Sequence, residues 1–271
     1  MLLAKNCFKK DNILKRGSVR LGSLHEYRAT EHKQIADKYE GTLSYRLFFF
    51  EGTKLSRAWV NTLFRGLARL SLPGEMHPPQ APIEGPCRVE ADSFIWKDWG
   101  HDGNTITIKN ASATIYREAV NGFIFCMSLV EHENDAIGLF PKYDDCWFVD
   151  ATHTAEIAEE LRTALHNEIL QCRDEGNHLI PGTVPLDGLA VSCQHQLVYY
   201  IPRDIFIKDQ AQITVEELVH RTTNMHLVKP ISFSHEKEYR FSFKITSNGN
   251  TIQPLRNDVI LITEKTQSWA Y

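Results

Sequence analysis

With 271 residues, 42% of them hydrophobic and 24% charged, the chain has the make-up of a globular protein of one large or two small domains, which excludes disordered, collagen-like and coiled-coil readings. Averaged over the whole chain, a formal net charge of -4 argues against a strong polyanion binder. The average conceals a split: residues 1–70 hold 14 Lys and Arg against 6 Asp and Glu, net +8, and the remainder holds 16 against 28, net -12. That asymmetry points to an anionic ligand or partner for the first segment.

The six cysteines are scattered with no CxxC pair, so they read as reduced thiols and neither as a zinc site nor as a disulfide framework. The N-terminal MLLAKNCFKKDN turns charged after four residues, and no stretch approaches the roughly 18 apolar residues of a membrane span. A soluble, cytoplasmic protein with no membrane partner is expected.

In chain order, Ser18 to Leu24 alternates apolar and polar residues and Tyr45 to Phe50 is rich in aromatic strand formers, so both are predicted strands, with a loop from Asp37 to Thr42 between them. Pro73, Pro78, Pro79, Pro82 and Pro86, with Gly74 and Gly85, mark a linker or surface insertion from Leu70 to Pro86. Strands at Thr105 to Lys109, Ala113 to Tyr116 and Phe123 to Met127 follow, separated by turns at Asn110 and Asn121-Gly122. Residues 155–172 carry apolar positions at helical spacing, with Thr152 or Thr154 as N-cap and Gly176 just past the end. Leu189 to Ser192 and Gln196 to Tyr200 read as strands, and Thr214-Val-Glu-Glu217 is a capping box opening a helix to about His220. Glu238 to Ile245 and Val259 to Thr263 return to strand. Many short strands with two or three helices predict an α+β fold in one domain, built on an antiparallel sheet or pair of sheets.

Walker, GxGxxG, HExxH and GxSxG motifs are all absent, and no histidine pair stands at metal-binding spacing on a helix. The segment that stands out is His235-Glu236-Lys237-Glu238-Tyr239-Arg240-Phe241. In a strand, Glu236 and Glu238 share one face with Arg240, and Tyr239, Phe241 and Phe243 share the other. Two adjacent carboxylates suit acid-base or cation-stabilising work. The competing reading is a solvated amphipathic face with Arg240 as counter-ion.

The E-x-E pair, preceded by Lys229-Pro230 and Phe233-Ser234-His235, resembles the third motif of the ADP-ribosyltransferase superfamily. Val19-Arg20-Leu21-Gly22-Ser23-Leu24 with Tyr27-Arg28 is similar to its first motif, and Phe123 to Ser128 to its second. The resemblance spans about residues 20–241 and implies split antiparallel β-sheets with a few flanking helices in a single domain 1–271, residues 52–105 being a candidate insertion. It also implies a bacterial toxin-like branch. The overall impression is of CmdT-type transferases, which modify mRNA in phage-defence toxin-antitoxin-chaperone systems.

What the resemblance implies for the site is an R-S-E triplet of Arg20, Ser128 and Glu238. The second strand lacks the usual Ser-Thr-Ser run, and His25 with Tyr27 or Tyr143 keeps an H-Y-E arrangement open. NAD is then the co-substrate, and no metal is expected. Cleavage of the nicotinamide-ribose bond builds positive charge on the sugar, which Glu238 would stabilise through the ribose 2′-hydroxyl. Glu236 would orient or deprotonate a nitrogen nucleophile, Arg20 would grip NAD phosphate or ribose, and Tyr27 or Tyr143 would stack on nicotinamide.

Each residue also has a plain structural reading: Arg20 and Lys229 as solvated cations, Ser128 as a strand-end serine, the tyrosines as half-buried packing. The basic first segment carries Phe8, Tyr27, Tyr39, Tyr45 and Phe48 to Phe50 among its cations, which favours RNA as target, a protein target being the alternative. A neutralising antitoxin is implied. Two other functions compete with transfer: NAD glycohydrolysis on the same fold, and a non-enzymatic nucleic-acid or protein-binding module.

Overall fold

The computed structural model describes residues 1–29, 39–72, 74–75, 85–100 and 103–271. Its first strands are β1 (Leu2–Cys7), β2 (Ser18–Ser23), β3 (Thr42–Phe49), β4 (Lys54–Ser56) and β5 (Cys87–Trp99). Next come β6 (Thr105–Glu118), β7 (Phe123–Val130), β8 (Asp145–Asp150), β9 (Leu189–Leu197) and β10 (Tyr199–Tyr200). The last are β11 (Asp204–Ile207), β12 (Val228–Lys229), β13 (Glu238–Ser247), β14 (Asn250–Ile252) and β15 (Asp258–Ile262). Helices are α1 (Ile13–Arg16), α2 (Leu24–Ala29), α3 (Arg57–Leu63), α4 (Thr154–Asp174), α5 (Val215–Thr223) and α6 (Glu264–Trp269). The chain is mixed α+β. No described helix is long and apolar enough to cross a membrane.

Two compact units emerge, the first made of Met1–Glu40, Asn121–Ile201 and Lys229–Tyr271, the second of Gly41–Val120 and Pro202–Val228. Residues 52–105 fall within the second unit. The proline cluster lies largely outside the described residues, as do Asp37 and Lys38 of the expected loop.

In the first unit, β13 pairs antiparallel with β9 on one edge and β7 on the other, and β14 turns back on its end. The far edge of β7 is shared. Its Ser128 to Val130 end pairs with β1, itself flanked by β8, while its Phe123 and Ile124 end pairs with β2, itself flanked by β15. Phe125 to Met127 therefore face a fork between two half-sheets. α4 buries Ile157, Leu161, Leu165 and Ile169 in one core with Phe125, Phe241 and Phe243. Each such side chain contributes about 1.5–3 kcal/mol when fully buried.

The second unit is a five-stranded sheet in which β6 is central, flanked by β3 and β4 on one edge and β5 on the other. All its pairs are antiparallel except β11 with β3. Trp59 anchors it, edge-on to Phe49 at 5.9 Å and donating Nε1 to the Ile213 carbonyl at 2.8 Å.

Several local expectations need correction. Asn110 makes no turn: β6 continues through it, paired with β5 on both sides of a register shift at Lys109, and the Asn110 amide donates to Ser93 Oγ at 2.9 Å. Asn110 marks instead the place where the other edge changes partner from β4 to β3. Neither Thr152 nor Thr154 caps α4, whose N-cap is His153; Asp150 accepts from the Thr152 N–H and caps a one-turn 3-10 segment at Ala151–His153. The strand from Leu189 does not break at Ser192, since β13 pairs with it through Leu197. At α5, Thr214 Oγ1 does accept the Glu217 N–H, at 3.1 Å.

Candidate functional site

The fork in the first sheet leaves the middle of β7 without a strand on one side, and a backbone carbonyl there needs another donor. Lys5 of β1 supplies it, donating Nζ to the Cys126 carbonyl at 2.7 Å above the Phe125 ring. Around this point Lys5, Asn6, Tyr27, Ser128, Tyr143 and Glu238, with Phe140, Lys229, Glu236 and Arg240, line a partly open cavity of about 60 Å³. That is room for about two water molecules. Gly22 seats one wall: a Cβ there would stand 2.9 Å from the Tyr27 ring and 2.5 Å from Glu26 Oε2.

On β13 the alternation of the strand sends Phe241, Phe243 and Ile245 into the core under α4 and puts Glu238 and Arg240 on the other face. This charged row is not solvated. Arg240 is 1% exposed and Glu238 5%, which overturns the reading of an open amphipathic face. Glu238 stands directly opposite Ser128 in the β13/β7 register.

Glu236 does not share that strand face. It ends a 3-10 segment, Ile231–Glu236, and Lys237 then takes a left-handed φ of 46° before β13 begins. The two carboxylates meet through Lys229, whose Nζ donates to Glu238 Oε2 at 2.7 Å and to Glu236 Oε2. Arg240 continues the chain, donating Nε to Glu238 Oε1 at 2.6 Å and Nη1 to Glu40 Oε1 at 2.7 Å. Glu236, Lys229, Glu238, Arg240 and Glu40 thus alternate in sign along one buried line. Lys229, read as a solvated lysine, is buried within it.

These contacts drive the two glutamates apart electrostatically. Burial alone would raise the Glu238 carboxyl, but Arg240 and Lys229 overcome it and hold it well below the usual carboxylate range. For Glu236, burial outweighs the single ammonium of Lys229 and pushes the carboxyl up, with the charge of Glu238 acting in the same direction. Lys229 is stabilised as a cation despite burial by both glutamates. Burial lowers Lys5, raises Tyr27 and Tyr143, and pushes the Cys126 thiol up to about 12. Carboxylates with oppositely displaced acidities in one pocket are the pattern of a permanent anion beside an acid-base group.

Of the residues singled out from the sequence, Glu236, Glu238, Ser128, Tyr27 and Tyr143 line one cavity. Arg20 and His25 do not. Arg20, half-exposed on β2, pairs with Asp258 at 2.8 Å and with Glu26, and its charge still acts on Lys5 and Tyr143 of the cavity. His25 is exposed, and its backbone N–H donates to Asn121 Oδ1. Lys5 is a cation of the cavity lining that the sequence did not single out. The sequence concealed it because Leu2-Leu3-Ala4-Lys5-Asn6-Cys7 shows no clean alternation.

Two polar atoms of the cavity residues, Asn6 Nδ2 and Glu236 Oε1, are buried without a hydrogen-bond partner. Such atoms are costly unless something fills the space between them. Of the rings expected to stack on RNA, Tyr45 and Phe49 are buried in the second unit, whereas Phe8, Tyr39, Phe48 and Phe50 are exposed. No group of three or more His, Cys, Asp or Glu is arranged to hold a metal ion among the described residues. No family model matches the sequence, and neither a curated protein nor a solved structure is significantly similar to it.

Proposed function

We propose that the first unit is an ADP-ribosyltransferase-like domain that cleaves NAD with Glu238 and passes the ADP-ribose to a nitrogen nucleophile, RNA being the favoured acceptor in an antiphage toxin. The observation that carries this reading is the pairing of a permanently ionised Glu238 with a proton-accepting Glu236 in a pocket walled by Ser128, Tyr27 and Tyr143. Glu238 accepts from Lys229, Arg240 and the Cys126 thiol, which leaves one of its carboxylate lone pairs for the ribose 2′-hydroxyl. Lys229 and Arg240 fix the carboxylate's position and keep it charged.

As the C1′–N bond to nicotinamide breaks, nicotinamide leaves with the bonding electrons and the sugar gains oxocarbenium character opposite Glu238. The incoming nitrogen forms the new bond to C1′, and its proton passes to Glu236. Lys5 takes the phosphate- or ribose-gripping role. The cavity of about 60 Å³ is smaller than a nicotinamide riboside and is partly open, so it would take one end of that group.

Incubation with nicotinamide-labelled and adenylate-labelled NAD and total RNA tests the proposal. Release of nicotinamide with adenylate label on RNA, lost on the order of 100-fold or more in Glu238→Gln, is the expected result. Equal transfer by that variant, or none by the native protein, would sink it. Hydrolysis of NAD is a second reading, favoured by the unpartnered Glu236 Oε1 beside a space that admits water. Nicotinamide release without labelled macromolecule selects it.

A further inference from the structure

β15 is an edge strand. It pairs with β2 on one side, and among the described residues no strand pairs with the other. The Thr263 N–H points inward, to the Gly17 carbonyl, so by alternation the backbone groups of Leu261 and Val259 also face β2, and those of Ile260 and Ile262 face away. Open edges are normally blunted by proline, lysine or a bulge. Asp258-Val-Ile-Leu-Ile262 has none of these, and it exposes Ile260 at 50% and Ile262 at 76%.

A groove of about 1030 Å³ runs beside this edge, bounded by Leu261, Ile262 and Trp269 on one side and by the outer stripe of α4 on the other. The stripe is acidic. Glu156, Glu159, Glu160 and Glu168 of α4 line the groove with Glu264, against a single cation, Lys265. Glu160 is committed to the α6 N-terminus, accepting from the Lys265 and Thr266 N–H groups, and Glu159 to Arg162. Glu156 and Glu264 are exposed to whatever enters.

We infer that this groove binds an extended, basic segment of a partner protein, which adds a strand to β15 and presents Lys or Arg side chains to α4. Main-chain hydrogen bonds to Ile260 and Ile262 give affinity, and the carboxylates select the sequence. Pairing of β15 with a second copy of this chain is disfavoured because it would bring two such acidic stripes together.

The test uses the full chain with two acetylated, amidated heptapeptides, one alternating Lys and Val and the other alternating Glu and Val, followed by Trp269 fluorescence and amide hydrogen exchange. The Lys-Val peptide is expected to bind saturably, to slow exchange at Ile260 and Ile262 at least 10-fold, and to weaken with added salt. Ile260→Pro, which removes an outward donor, should abolish binding. The surface variant Glu156→Lys/Glu264→Lys, which leaves the core untouched, should weaken it about 10-fold. Equal binding of the Glu-Val peptide, no binding of either, or unchanged exchange at both isoleucines would overturn the inference. So would protection of those amides by concentration-dependent self-association, which would assign the edge to a second copy.

Discussion

Arg240 and Glu40, 200 positions apart in the chain, form an ion pair at 2.7 Å in which both side chains are about 1% exposed. Charges so deeply buried are poor sources of net stability, because desolvation consumes most of the Coulomb gain. Their consequence is positional: Arg240 is held from behind by Glu40, and so holds Glu238 opposite Ser128.

Breaking one partner leaves the other charged and unpaired. Arg240→Met is expected to cost about 3–5 kcal/mol in a urea unfolding experiment. Glu40→Gln, which keeps an acceptor for Arg240, should cost less. A loss under about 1 kcal/mol for Arg240→Met would mean the line of charges is solvated after all.

The two glutamates make opposite contributions to stability as pH changes. Glu238 is depressed in the folded state, so its contribution is complete above the ordinary glutamate value near 4.3 and is lost as pH falls through its lower folded value. Glu236 is raised, so the folded state holds its proton more tightly than the unfolded chain, and stability from this group falls as pH rises from the ordinary value through the raised one. Glu236→Gln should therefore raise Tm above that of the native protein at pH 8, with the gain shrinking toward pH 4. A Tm below the native value at pH 8 would show that the Lys229 contact outweighs the burial of charge.

Lys5 and Arg20 separate the geometric reading of the site from the one based on motif spacing. Lys5 lines the cavity and Arg20 is engaged outside it by Asp258 and Glu26. Under the proposed function, Lys5→Met should reduce NAD turnover about 10-fold or more, while Arg20→Met should leave it within twofold and change stability by under about 1 kcal/mol, as for an exposed pair. The reverse ranking in a nicotinamide-release assay would restore Arg20 to the site.

What the sequence disclosed follows the range over which its signals act. α4 and the alternating body of β13 were legible from periodicity and α5 from its Thr214 cap, because both signals are local. Ser128 and the two glutamates could be singled out as chemically apt, and β7, β13 and the 3-10 segment before β13 bring them to one cavity. Three features were hidden. β1 mixes Lys5 and Asn6 into a short apolar run, and its strand identity comes from pairing with β7 and β8. The left-handed Lys237 that takes Glu236 off the strand leaves no mark in an E-x-E pattern. Glu40 reaches Arg240 only through tertiary packing, for which no spacing rule exists.

The charge on Glu238 also has a reporter that does not depend on catalysis. The Cys126 thiol, on the β7 edge of the cavity, is pushed up to about 12 first by burial and then by the negative charge of Glu238, while Arg240 and Lys5 act against the rise. Cys193 on β9 is also pushed up to about 12, chiefly by burial, and Glu238 is not among the charges acting on it. Only the thiolate is alkylated, so both should react slowly with iodoacetamide at pH 8, on the order of 1000-fold slower than an ordinary cysteine. Removing the charge in Glu238→Gln lowers the Cys126 value and leaves burial in place. Its labelling, followed by peptide mass spectrometry, should therefore rise a few-fold while that of Cys193 stays constant. An unchanged Cys126 rate would mean that Glu238 is not an anion beside it, and the electrostatic basis of the proposed chemistry would fall with it.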